Sequence, residues 1–390
     1  MQPERYLQRF SVPFEYEVLF TDGCSEAGNP ALQEAATRLD NAGKARLLII
    51  IDAAVLGTHP GLASELEAYV EAHDELLELA APPLILSGGE KAKNQRTGLD
   101  TLLRTVKDLH LDRHSYFVIV GGGALQDMAG YAAAIAHRGL RVIRVPTTVS
   151  SQNDSGVGVK CGINAFGVKN FLGAFSPPVA VINDIGFIAG LPERERIAGM
   201  SEAVKVALVR DRTFFDWLEE HVMRLRNAES EAVAVMIRRG AELHLGHIAG
   251  SGDPFELGSA RPLDFGHWAA HKLEQLSDFE LRHGEAVAIG IALDSRYCEE
   301  VGLLGGGSVD RICALLDGLG FRLWHDGLTM RSTDGKARVL EGIEEFREHL
   351  GGRLTVALLE EIGRPVDVHT IDRGLVLKSI DWLQARYASR

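Results

Sequence analysis

Apolar positions along this chain follow two regimes. Between residues 46 and 148, short unbroken apolar runs alternate with stretches of helical period. RLLIIID (46–52), PPLILSGGE (82–90), SYFVIVGGG (115–123) and LRVIRVPTT (140–148) read as buried strands. Residues 62–80, 97–109 and 124–136 read as the helices between them. Strand, helix, strand in repetition predicts a parallel sheet with helices on both faces. Ligands of such sheets bind at the carboxyl ends of the strands. Asp52, Gly122, Gly123, Thr147 and Thr148 all fall there. Beyond residue 191 the strand signal fades and helices are expected over 195–209, 213–226, 229–245, 267–276, 284–301 and 308–319. RLTVALLEEIG and VDVHTID then suggest a hairpin before a last helix over 373–387. The expected division is 1–185 and 186–390, near Pro177 to Pro192, with the chemistry in the cleft between the two parts.

Composition narrows the function. A chain of 390 residues exceeds one ordinary core, which supports two domains. A net charge of −13 argues against nucleic acid or an anionic membrane as partner, so an anionic substrate needs local lysines and arginines. No apolar run approaches the roughly 18 residues of a membrane helix, and the first twenty residues lack an apolar signal core. Four scattered cysteines form no CxxC pair and suit a reducing cytoplasm.

The densest chemistry lies in LDFGHWAAHKLEQLSDFELRHGEAVAIG (263–290). His267 and His271 are four apart and share a helix face; His283 opens a second helical run. A pair at that spacing, taken alone, is more often a structural pair than a metal site. Two neutral imidazoles and a carboxylate form the three-ligand set of catalytic zinc. GMSEAVKVAL supplies a candidate carboxylate: Glu202 shares a face with Lys205 in a small-residue helix, where an unpartnered carboxylate is costly. GGGALQD (121–127) follows a strand and opens a helix, so its glycines serve either a tight turn or backbone approach to a phosphate. Asp52 ends an earlier strand where a carboxylate can meet a ribose hydroxyl, and GGEKAKN adds Glu90 and Lys93 on another glycine turn. The stretch 146–170 reads as a long polar functional loop carrying Asp154, Lys160, Lys169 and Asn170.

Taken in order, GGEKAK, GGGALQD, HRGLRVIRVPTT, the NDSGVGVK…KN stretch, GMSEAVK and FGHWAAH…RHGEAVAIG resemble the sugar phosphate cyclase family, to which 3-dehydroquinate synthase belongs. The resemblance spans about residues 45–290. It implies an α/β Rossmann-like N-terminal domain, a mainly α-helical C-terminal domain, bound NAD, and Zn2+ or Co2+. By the same resemblance Glu202, His267 and His283 hold the metal. Asp52, Glu90, Lys93, Gly122, Gly123, Asp127, Thr147, Thr148 and Lys169 contact NAD. Asp154, Lys160, Asn170, Lys205, Glu256 and His271 line the substrate site, and Arg138 reaches the phosphate held by the other subunit of a homodimer. The family's reaction is a closed redox cycle: a ring hydroxyl is oxidised, phosphate is eliminated, the hydride returns, and ring opening is followed by aldol closure to a carbocycle.

Departures from the dehydroquinate pattern bear on the substrate. Asp264 replaces an asparagine three residues before His267, Ala260 replaces an arginine with Arg261 one step away, and His349 in EEFREHLGG stands where a lysine-rich stretch is usual. Asp264 and His349 resemble the 2-epi-5-epi-valiolone synthases, which act on sedoheptulose 7-phosphate, a substrate without a carboxylate. Those enzymes carry proline where this chain keeps His271, so two branches are mixed here. The expectation is a cyclase of a heptulose phosphate, with 3-dehydroquinate synthase as the alternative. A metal-dependent alcohol dehydrogenase of the glycerol type and a retired cyclase acting as a scaffold are alternatives of other classes.

Overall fold

The computed structural model describes residues 3–39, 43–255, 258, 261–349 and 351–388. Its centre is a seven-stranded sheet of β1 (Glu17–Thr21), β2 (Ala45–Asp52), β3 (Leu77–Leu79), β4 (Leu84–Leu86), β5 (Tyr116–Gly121), β6 (Arg141–Pro146) and β9 (Ala180–Asp184). The order is β1-β9-β6-β5-β2-β3, β4 also pairs with β2, and every pairing is parallel. Leu47, Ile49, Ile51, Val118 and Val120 pack into one face with helices Ala31–Thr37 and Leu62–Ala72. Leu48, Ile50, Phe117 and Ile119 pack into the other with helices Arg96–Asp108 and Gly123–Ile135. Burial on both faces is why these strands read as unbroken apolar runs rather than alternating ones.

The C-terminal part is a separate apolar core of helices, chiefly Glu193–Arg210, Ser230–Gly250, His267–Leu276 and His283–Glu300, closed by the hairpin of β10 (Val356–Glu361) and β11 (Arg364–Val368). Among the described residues no helix is long and apolar enough to cross a membrane.

Several local expectations change. The stretch expected as a loop contains a π-turn, Ser151–Ser155, and a hairpin of β7 (Lys160–Ala165) and β8 (Val168–Phe175). Its glycines are needed because the strands pass closely: a Cβ on Gly162 would meet the Leu172 carbonyl at 2.7 Å. The helix expected over 62–80 stops at Ala72 and gives way to β3. The helix expected over 213–226 breaks at His221, which leaves helical dihedrals while its Nδ1 lies 2.9 Å from the Trp217 carbonyl. Strands β1 and β9 and the helices Ala31–Thr37 and Glu341–His349 were not anticipated.

Candidate active site

A cleft of about 1240 Å³ opens between the carboxyl ends of the sheet strands and the helical part. Glu202 reaches it from the middle of helix Glu193–Arg210. His267 and His283 are the first residues of helices His267–Leu276 and His283–Glu300. Their ligand atoms and a Glu202 carboxylate oxygen all lie within 4.8 Å of one another. His283 Nε2 stands 3.3 Å and His267 Nε2 3.9 Å from Glu202 Oε1.

The donor set fits a divalent cation. Both Glu202 oxygens are buried without an aligned hydrogen-bond donor, although the Lys205 ammonium lies 2.5 Å from Oε2. His267 Nδ1 bonds the Phe265 carbonyl at 3.2 Å, and His283 Nδ1 bonds Glu274 at 3.0 Å. Both rings therefore turn Nε2 inward, the orientation that outer partners impose on metal-binding imidazoles. A second set, His271, Glu274 and His283, also converges. Lys169 occupies both Glu274 oxygens there, at 2.8 and 3.0 Å, which favours the first set.

Beside Glu202 runs a chain of charges. Lys205 Nζ is 3.5 Å from Asp154 Oδ1, which lies 2.7 Å from His244 Nδ1. Burial opposes the Lys205 charge, but Asp154 and Glu202 outweigh it and hold the ammonium above the usual lysine range. Burial likewise opposes ionisation of Glu202, and Lys205 overrides it and keeps the carboxyl below the usual range. His271 is pushed well below an ordinary imidazole by burial and by the Lys169 charge, so it stays neutral. Its ring centroid lies 5.4 Å from that of His267 and 5.9 Å from that of His283.

The opposite wall is the sheet edge. Gly122 and Gly123 open helix Gly123–Ile135 at the end of β5, and Thr147 and Thr148 follow β6. Asp52 ends β2 and accepts from Ala54 N at 3.0 Å and Gly88 N at 3.1 Å, so it pins the neighbouring glycine turn. Lys93 is buried between Asp127, at 2.7 Å, and Asn170, at 2.5 Å. Glu90 accepts from Asn164, whose Oδ1 in turn holds the Asn170 backbone N–H. All these predicted residues line the cleft except Glu202, which is buried beside His267 and His283, and Lys160, Arg261 and Asp264 line it too.

Among the described residues one predicted side chain, Arg138, is not brought into it. Arg138 is exposed on the short 3-10 turn Ala136–Arg138, outside the cleft. His349 is the last residue of the helix Glu341–His349, and its side chain lies outside the described part of the structure. Glu256 lies outside the described residues, as does Ala260. The sequence reading missed His244, Glu274, Asn164 and Arg144. Glu274 alone left a signal, seven residues after His267 on the same helix face. Arg144 is buried in β6 and donates to the carbonyls of Gly156 (3.2 Å), Gly158 (2.7 Å) and Lys160 (3.2 Å), so it ties down the segment bearing Asp154 and Lys160. Arg144→Met leaves three carbonyls without their donor and is expected to lower stability by about 3 kcal/mol or more. An unchanged urea midpoint in that variant would count against this role.

Residues 83–198 match the family profile described as 3-dehydroquinate synthase N-terminal, and residues 199–339 match the one described as 3-dehydroquinate synthase C-terminal. The 3-dehydroquinate synthase of Halorhodospira halophila (strain DSM 244 / SL1) is 37% identical over 282 residues, 72% of this chain and 77% of that protein. Among solved structures, 2-epi-5-epi-valiolone synthase from Streptomyces hygroscopicus subsp. jinggangensis 5008, with NAD+ and Zn2+ bound, superposes with a TM-score of 0.85 at 28% identity, covering 98% of this chain and all (100%) of that one. A 2-deoxy-scyllo-inosose synthase complexed with carbaglucose-6-phosphate, NAD+ and Co2+ shares the fold, with a TM-score of 0.74 at 22% identity over 94% of this chain and 96% of that one. Both halves of the profile, the full-length superposition and the sequence motifs agree: this chain belongs to the sugar phosphate cyclase family typified by 3-dehydroquinate synthase.

Proposed function

We propose that this chain is an NAD- and divalent metal-dependent cyclase of a heptulose phosphate of the sedoheptulose 7-phosphate kind, which eliminates phosphate and closes a carbocycle by an aldol step. The observation that carries the choice of substrate is Asp264. It lines the cleft from the 3-10 turn Pro262–Asp264 and lies close enough to Lys205 and His267 to act on the charge of both. A fixed acid there repels a substrate carboxylate and accepts hydrogen bonds from sugar hydroxyls. The valiolone synthase likeness supports the same reading.

Glu202, His267 and His283 would hold the metal, and the turn at Gly122 and Gly123, with Asp127, Lys93, Lys169 and the threonines, would hold the dinucleotide. When bound, these groups supply a Lewis acid and a reversible hydride acceptor. The chain's own residues do the rest. Lys205, fixed as an ammonium, steadies negative charge growing on a substrate oxygen. Asp154 and Asn170 orient hydroxyls, and neutral His271 can give or accept a proton. Lys160 faces the phosphate, and Arg138 of a second copy would complete its site in a homodimer.

A second reading, 3-dehydroquinate synthase, is supported by Arg261 in the same cleft, a cation for a carboxylate, and by the identity to the Halorhodospira enzyme. Phosphate release from sedoheptulose 7-phosphate and from the seven-carbon 2-keto acid phosphate of the shikimate pathway decides between them. Faster release from the keto acid overturns the heptulose assignment. Net accumulation of reduced nicotinamide with a simple alcohol, without phosphate release, would instead indicate an alcohol dehydrogenase.

A further inference from the structure

Asp294 lies on helix His283–Glu300, 1% exposed, and among the described residues it makes no ion pair. Burying a carboxylate without a cation is expensive, so its hydrogen bonds matter. Its two oxygens go to the residues on either side of His267. Oδ2 accepts the Gly266 backbone N–H at 3.0 Å, and Oδ1 accepts the Trp268 indole N–H at 2.8 Å.

The backbone closes the same joint from below. Gly266 is left-handed, with φ +79°, and a Cβ on it would stand 2.7 Å from the Ile291 nitrogen. A Cβ on Gly290 would stand 2.0 Å from the Gly266 carbonyl oxygen. The turn that launches helix His267–Leu276 is thus seated on helix His283–Glu300 by glycine contact and gripped there by one carboxylate. His267 rides between two pinned residues, on the helix whose neighbour begins with His283. A metal site tolerates only a few tenths of an ångström of error in such a spacing.

We propose that Asp294 is a positioning residue for the metal site: by clamping Gly266 and Trp268 it fixes His267 relative to His283 and so sets the affinity for a divalent cation. This rests on Glu202, His267 and His283 being the ligands. The clamp belongs to no ligand and touches no substrate; it acts through the placement of one imidazole.

The test uses the full-length protein, stripped with a chelator and titrated with Zn2+ against a chromophoric competitor and with Co2+ by its visible absorption. Asp294→Asn puts an amide N–H against one of two N–H donors, and Trp268→Phe deletes the indole donor alone. Zinc affinity is expected to fall roughly ten- to hundredfold in Asp294→Asn, in line with other outer partners of metal ligands. A smaller fall is expected in Trp268→Phe, with an altered Co2+ spectrum in both. Should Asp294→Asn fail to fold, Trp268→Phe carries the test. Parental zinc affinity and Co2+ spectrum in the folded variants, even with a lowered melting temperature, would show a purely structural residue and overturn the proposal. Glu202→Ala in the same titration separates the two levels: parental zinc affinity in that variant means that the ligand assignment, not the clamp, has failed.

Discussion

Glu202→Ala and His267→Ala are each expected to empty the site of its divalent cation and to lower turnover by about a thousandfold or more, ~4 kcal/mol of barrier. Glu202 is the sole carboxylate of the set it forms with His267 and His283, and it is buried. Its removal leaves two imidazoles, and it also leaves Lys205 with Asp154, at 3.5 Å, and the nearby Asp264 as its counter-charges. The helical core around the site is built by other side chains, so the fold should persist by circular dichroism. Elemental analysis and phosphate release together check the expectation. Unchanged zinc in both variants excludes these residues as ligands.

Gly284→Ala should be the most damaging single methyl in the molecule. A Cβ there would lie 1.7 Å from the Ala198 carbonyl oxygen and 2.8 Å from Ser201 Oγ. The obstruction is backbone, which cannot swing aside as a side chain would. Helices Glu193–Arg210 and His283–Glu300 must therefore separate. Overpacking usually costs 1–3 kcal/mol, and a backbone clash lies at or above the upper end, about 3 kcal/mol. The damage extends beyond stability, because Gly284 adjoins His283 and Ala198 lies one turn before Glu202. Separation of these helices lengthens the 3.3 Å approach of His283 to Glu202. A fall in the denaturation midpoint together with weaker metal binding is the expected result. A parental midpoint would mean that the two helices do not meet so closely.

The sheet was legible because its strands are buried on both faces and so write continuous apolar runs, as in residues 46–52 and 116–120. β1 and β9 were missed for different reasons. EVLFT sits at an edge and is only half-buried, and AVIND is short and lies in the stretch taken as a domain boundary. The hairpin β7–β8 was hidden because β8 exposes five of its eight residues, including Phe171 and Phe175, and its glycines read as loop. Glu202, His267 and His283 could be named from type and spacing. His244 could not, since its bond to Asp154 spans 90 residues and leaves no local periodicity. Asp294 was equally silent: an acid in an apolar helix shows that a partner is required but not which indole or backbone amide provides it.

The pairing of β1 with β9 joins residues 17–21 to residues 180–184. Among the described residues strand β1 has no other neighbour in the sheet. During synthesis the first strand must therefore wait, unpaired, until some 160 further residues have emerged, and loop closure over that length precedes any reward in contacts. The N-terminal sheet can be completed only late, so its maturation is intrinsically slow, and nascent chains ending before residue 180 carry an apolar edge open to aggregation or to chaperones.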